Sequence, residues 1–196
     1  MKFENLLWMF DNHKLSKMRW LKKHRLVKII DQTPAEAKLL YHYASKCSDC
    51  NIVELGRKCG GSAIVMAAAI RDAGGKGCVY SIDFSEDSYN IAQKMIHKYL
   101  KYIILVQSDS RVYPFDHELD NVSLVLFDAI HNCEIAKEFE VWYDRIMTGG
   151  YMIVHDYGCV KKYPGMDQSV NDFIRTHNLR ISDKIGRIIV IPKTGV

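Results

Sequence analysis

No apolar run in the 196-residue sequence approaches the ~18 residues that a membrane span needs. The start, Met1-Lys2-Phe3-Glu4-Asn5, lacks a basic stretch ahead of an apolar one. No signal peptide is therefore expected, and a cytoplasmic location is. The six cysteines lack the dense spacing of a small secreted scaffold, which fits a reducing compartment. Cys47-Ser48-Asp49-Cys50 is a lone C-x-x-C, with no second pair or histidine pair to complete a zinc site. It closes a helical stretch rather than opening one, which argues against a redox motif. Internal repeats and low-complexity tracts are also missing.

What is present suits a soluble globular domain. The chain is 48% hydrophobic and 26% charged, ordinary values for a packed core. Its length favours one domain that needs no disulfide or structural metal. The net charge of +4 is unevenly placed: residues 1–30 hold eight Lys or Arg against Glu4 and Asp11. Residues 13–30 read as a basic amphipathic helix, with Leu15, Met18, Leu21, Leu26, Ile29 and Ile30 spaced among the charges. Such a helix suits nucleic acid or an anionic surface. It equally suits packing over the domain or against a second copy of the chain. Residues 1–33 are thus expected to form a lid or interface segment, and 34–196 the domain proper.

From Thr33-Pro34 onward the pattern alternates. Strands are expected at 51–55, 77–83, 102–107, 122–127 and 151–155, and helices at 62–73, 86–100, 132–147 and 167–177. Segments 180–182 and 187–191 are expected to close the chain as an antiparallel pair. Gly149-Gly150 is expected to turn the chain into the strand at 151. Alternation of this kind implies βαβ units on a parallel sheet covered on both faces. Val122–Phe127 and Ile188–Ile191 are nearly continuous in apolar residues, as doubly covered strands should be. Ligands of such sheets bind outside the carboxyl ends of the strands.

Those ends carry the chemistry. After the first strand comes Val53-Glu54-Leu55-Gly56-Arg57-Lys58-Cys59-Gly60-Gly61-Ser62-Ala63. It is a glycine loop, but no lysine follows the second glycine and residue 58 is not glycine. Both the P-loop and the G-x-G-x-x-G fingerprint fail. Asp83 ends the second strand, where a carboxylate can accept ribose hydroxyls. Gln107-Ser108-Asp109-Ser110 follows the third, as a purine edge contact or a plain turn. Asp128 and His131 follow the fourth strand, and His155-Asp156 the fifth. Two carboxylates and two imidazoles on one rim suit a divalent cation or a general base at His131.

Taken in order, these segments resemble the class I S-adenosylmethionine (SAM)-dependent methyltransferases. The likeness is to the small-molecule O-methyltransferase branch with its macrocin-type and cephalosporin-hydroxylase-like members. It runs over roughly residues 35–192. It rests on Val53–Ala63, Ser81-Ile82-Asp83, Ser108-Asp109-Ser110, Asp128–His131, Glu138–Trp142, Gly149-Gly150, His155-Asp156-Tyr157 and Pro164-Gly165-Met166. The resemblance implies a Rossmann-like, doubly wound, seven-stranded, mostly parallel sheet with its last strand antiparallel, in three α/β/α layers. It places Glu54, Gly56, Gly60, Gly61 and Ser62 at the methionine end of SAM, Asp83 at the ribose and Asp109 near the adenine, with Asp128 also at the cofactor. It makes Asp128, Asp156 and His155 the positions that hold magnesium in metal-dependent relatives, and His131 the base. Imidazole is a poor ligand for hard magnesium, so the pattern also suits a softer metal or none.

The implied activity is in-line transfer of the SAM methyl to a hydroxyl of a small acceptor, a sugar or other secondary metabolite. His131 would take the proton and Asp128 would orient the acceptor. Two other readings stand beside it. One is a methyltransferase-fold binding protein without catalysis, suggested by bulky, cationic Arg57-Lys58 in the loop. The other is a nucleic-acid methyltransferase gripping through residues 13–30. Against the latter, Asp128-Ala129-Ile130-His131 stands where amino-methylating enzymes carry an N/D-P-P-[FYW] quartet.

Overall fold

The structure, a computed structural model, describes residues 3–10 and 29–195. Nearly all of the basic helix expected at 13–30 lies outside the described residues. Seven strands form one sheet: β1 (Asn51–Leu55), β2 (Val79–Asp83), β3 (Ile103–Gln107), β4 (Val122–Phe127), β5 (Ile146–Val154), β6 (Asp183–Ile185) and β7 (Ile188–Pro192). Their order is β3-β2-β1-β4-β5-β7-β6. The first five run parallel, and β7 is antiparallel to both β5 and β6. This is the expected doubly wound sheet. Its order reverses between β1 and β4, which opens a crevice above their carboxyl ends.

Alternation along β4 explains the layers. Leu124 and Leu126 face one side and Val125 and Phe127 the other, all wholly buried. On the first side lie α1 (Pro34–Lys46), α2 (Gly61–Ala73) and α3 (Glu86–Met95). A 3₁₀ helix, Phe3–Phe10, buries Leu6 and Met9 in this same core. The amino-terminal residues thus share the domain's interior. On the second side lie α5 (Ile135–Trp142) and α6 (Met166–Thr176), after a single turn, α4 (Tyr113–Asp116), that the sequence pattern does not announce. Trp142 is wholly buried there and its Nε1 donates to the Ser110 carbonyl at 2.8 Å. Truncating such an indole costs roughly 3–5 kcal/mol.

Helix boundaries follow from their caps. Thr33 opens α1 through a capping box: its Oγ1 accepts from the Glu36 amide, and Glu36 Oε2 accepts from the Thr33 amide at 2.6 Å. Ser85 caps α3 through the Ser88 amide. Four expectations need correction. The edge strand expected at 180–182 is Asp183–Ile185, which pairs with β7 from Asp183–Val190 to Ile185–Ile188. The helix expected over 86–100 is α-helical only to Met95 and tightens to a 3₁₀ turn, Ile96–Tyr99. The helix expected over 132–147 is α-helical only over Ile135–Trp142, with a 3₁₀ turn at Tyr143–Arg145. The fifth strand begins at Ile146 rather than 151: Val122 pairs with Ile146 and Leu124 with Tyr151, so Met147–Gly150 bulge out between the two pairings. Gly149, at φ +83°, takes the left-handed turn this bulge needs. No helix among the described residues is long and apolar enough to cross a membrane.

Candidate active site

A cleft of about 710 Å³ lies over the switch point, walled by the ends of β1, β2, β4 and β5 and by residues 29–32. That is the size range of small-molecule and cofactor sites. Gly56, at φ +88°, starts its first wall. A side chain there would collide with the Asp128 carbonyl, so the β1 loop lies directly on the end of β4. Gly61 is packed as closely under Ile29 and Ile30.

Asp83 organises the loop. Its Oδ2 accepts from the amides of Arg57 (3.0 Å) and Lys58 (3.1 Å), and its Oδ1 from the Ser85 amide (2.8 Å). A carboxylate has about four acceptor positions, so one is left for a ligand hydroxyl. Glu54, expected at the methionine end, is instead wholly buried behind the wall, where the Ser62 and Ser81 hydroxyls donate to it. Burial pushes its pKa up to about 7 against those hydrogen bonds. Gly60 also faces inward, toward Ala92 and Ile96. Ser62 does line the cleft. Arg57 is buried under the loop with its Nη1 on the Ser81 and Val106 carbonyls. Its guanidinium therefore does not stand in the cleft as a bulky cation. Asp109 lines the far end, gripped by Arg111 through Nη2 (2.7 Å), Nε (3.1 Å) and the backbone amide (2.8 Å). These contacts with Arg111 hold its carboxyl below the usual range.

The near end brings together Asp128, His131, His155 and Asp156. His131 Nε2 lies 3.4 Å from Asp128 Oδ1 and 3.3 Å from Asp156 Oδ2. Burial works to lower the His131 pKa, but hydrogen bonds and charge from the two carboxylates outweigh it and raise it to about 9. Its ring packs on Tyr163 with centroids 4.5 Å apart. His155 is buried, with Nδ1 2.8 Å from Asp128 Oδ1. Asp156 sits at φ +61°, a strained conformation for a residue other than glycine that aims its carboxylate into the site. Burial works to raise the Asp156 pKa, but the His131 hydrogen bond and the charges of His155, Arg187 and His131 hold it well below the usual carboxylate range.

Three residues that hold the site in place carry no assigned role in the sequence reading. Gln32 Nε2 donates to Asp128 Oδ2 at 3.2 Å. Arg187, in the β6–β7 turn, donates to Asp156 Oδ1 and to the Asp31 carbonyl. Glu138, wholly buried, accepts from the cleft residue Ser110. A helix-start signature marks Thr33 and so the position of Gln32 just before it. Nothing local marks Arg187.

Ligand atoms of Asp128, His155 and Asp156 fall within 4.8 Å of one another, close enough to share a cation. The donor set does not suit magnesium, because imidazole is a poor ligand for that hard cation. His155 Nε2 is buried without a hydrogen-bond partner among the described residues, while Nδ1 faces Asp128 Oδ1. Both oxygens of each carboxylate already meet a donor.

The sequence matches the family described as "Methyltransferase domain" over residues 53–157. No curated protein matches it. Solved structures share its fold. An SAH-bound Podospora anserina methyltransferase, PaMTH1, superposes with a TM-score of 0.71 at 14% identity, covering 90% of this chain and 86% of that one. The O-methyltransferase TomG from Streptomyces achromogenes, involved in tomaymycin synthesis and solved with SAM, gives 0.68 at 17% identity over all of both chains. An O-methyltransferase from Bacillus cereus solved with SAH gives 0.66 at 17%, covering 98% of this chain and all of that one.

Proposed function

The chain belongs to this family of methyltransferase domains, and from that premise we propose that it moves the methyl group of SAM to a hydroxyl oxygen of a small molecule. The observation that carries the reading is the convergence of Asp128, His131 and Asp156 on one end of a cleft whose other end holds Asp83 and Asp109. SAM, bound there, supplies an electrophilic methyl on a sulfonium. The cleft has the volume for it, and Gly56 and Gly61 let its walls close on Asp128 and on Ile29 and Ile30. Asp83 offers its remaining acceptor position to a ribose hydroxyl. Ser108, Asp109 and Ser110 edge the adenine end.

At the other end the acceptor hydroxyl enters beside His131 Nε2. With SAM held in the cleft, its methyl would go to that oxygen and SAH would leave, while His131 Nε2 takes the hydroxyl proton. Asp128 and Asp156 hold the resulting imidazolium, which is why its pKa is high. The same pairing keeps His131 protonated in the resting site at neutral pH, with roughly one molecule in a hundred free to accept. The rate therefore rises with pH through about 9. Tyr163 on the His131 ring and Gln32 on Asp128 fix the two groups in place.

The TomG and Bacillus cereus relatives, both described as O-methyltransferases, support oxygen as the acceptor. Burial of Arg57 leaves Lys58 as the one cation of the β1 loop at the cleft, where it pairs with Asp31. The test is a calorimetric titration of the purified protein with SAM beside Asp83→Ala. Micromolar binding that the variant loses is the expected result. Absence of SAM binding to the wild type overturns the reading.

A further inference from the structure

The two carboxylates at the near end lie with His155 close enough to share a cation, yet their surroundings are those of a site already neutralised. Arg187 is the reason. It is carried on the turn between β6 and β7, and Gly186 before it leaves no room for a side chain because the Glu36 carboxylate is packed against it. Glu36 is buried and accepts from the Arg187 amide at 2.7 Å, with the guanidinium Nε 3.5 Å away. Nη2 donates to the Asp31 carbonyl at 2.9 Å. The remaining nitrogen, Nη1, donates to Asp156 Oδ1. The guanidinium is therefore anchored on two sides and points its third at the carboxylate that a divalent cation would need.

We propose that Arg187 is the resident cation of this site: its charge, set on Asp156 Oδ1, stands where a metal's would and makes the centre metal-free. A guanidinium is charged at every accessible pH, so this neutralisation does not switch off. A dication on Asp156 would meet a fixed positive charge beside the oxygen it bound. Arg187 is a positioning residue: it acts through Asp156 on His131, whose Nε2 faces the other Asp156 oxygen. The inference builds on the proposed function in taking this end of the cleft as the acceptor centre.

Binding of manganese, followed by loss of its free electron paramagnetic signal, tests this without any acceptor. The wild type is expected to bind Mn²⁺ no tighter than roughly 1 mM, where only the loosest oxygen sites lie. Arg187→Gln is expected to bind it at least about tenfold more tightly, since a unit charge next to the ligand is gone. Asp156→Asn placed on top should abolish that gain. Arg187→Lys, which keeps the charge, should stay as closed as the wild type. Arg187→Met keeps the aliphatic stem and serves if the glutamine variant does not fold. Micromolar Mn²⁺ binding by the wild type, lost in Asp128→Asn, overturns the proposal. So does a folded Arg187→Gln that binds no better than the wild type. SAM titration of the same samples reports on the proposed function separately.

Discussion

Asp83 and Asp109, at the far end of the cleft, are held by backbone amides and by a neighbour two residues away. Asp128 and Asp156, at the near end, are held by side chains drawn from Gln32, His131, His155 and Arg187. Backbone amides are supplied by the loop's shape and by almost any residue in it. Side-chain donors are specific to residue type. Asp83 is thus held by the fold, Asp109 by one near neighbour, and the near end by the identity of a few residues that only the fold brings together.

His131→Ala strikes the acceptor end alone. Turnover, read as SAH release on a hydroxyl acceptor of the wild type, should fall by roughly 10²–10⁴, the usual worth of a positioned base. SAM affinity should change by less than about threefold, because His131 lies at the end of the cleft away from Asp83. A parallel loss of SAM binding would break the division between the two ends. The wild-type rate should climb as pH passes about 9, and the residual rate of the variant should not. Asp83→Ala strikes the other end. It removes the acceptor of three backbone amides as well as the proposed ribose contact, so SAM affinity should drop by about a hundredfold. Asp83→Asn should recover part of that, since its carbonyl oxygen can still accept.

What could be read from the sequence follows the same division. The β-strands announce themselves because Val122–Phe127 and Ile188–Ile191 have apolar residues on both faces. Once strands are placed, the rule that ligands sit at their carboxyl ends points to Asp83, Asp128 and His155-Asp156. Glu54 misleads because it alternates into the interior. A carboxylate in a buried strand reads as a ligand until its two serine partners are seen. Arg187 was out of reach: it stands 31 residues from Asp156, and only the β5–β7 pairing carries its turn back to the site. The start of β5 was missed because its register shift depends on where β4 lies, not on local periodicity.

Stability should show the near end's charges through pH. His131 has a raised pKa in the folded chain, so its pairing stabilises the fold fully below about 6.5 and the gain is lost as pH rises through about 9. The wild-type melting temperature should therefore decline from pH 7 to pH 10, and His131→Ala should flatten the decline. Glu36→Gln tests the anchor behind Arg187. An amide cannot accept at both oxygen positions, so one of the Thr33 and Arg187 amides loses its partner. The cost should be about 1–3 kcal/mol in urea unfolding.

The smallest effect belongs to Arg111→Ala. Arg111 grips Asp109 firmly, yet the pair is exposed and screened by water. Removing the guanidinium should let the Asp109 pKa rise toward its ordinary value and leave the melting temperature unchanged. SAM affinity should move by less than about threefold. If the loss instead matched that of Asp83→Ala, Asp109 would have to depend on a fixed side-chain partner, as Asp156 is proposed to depend on Arg187. The far end would then be specified by residue identity too, and the contrast between the two ends would fall.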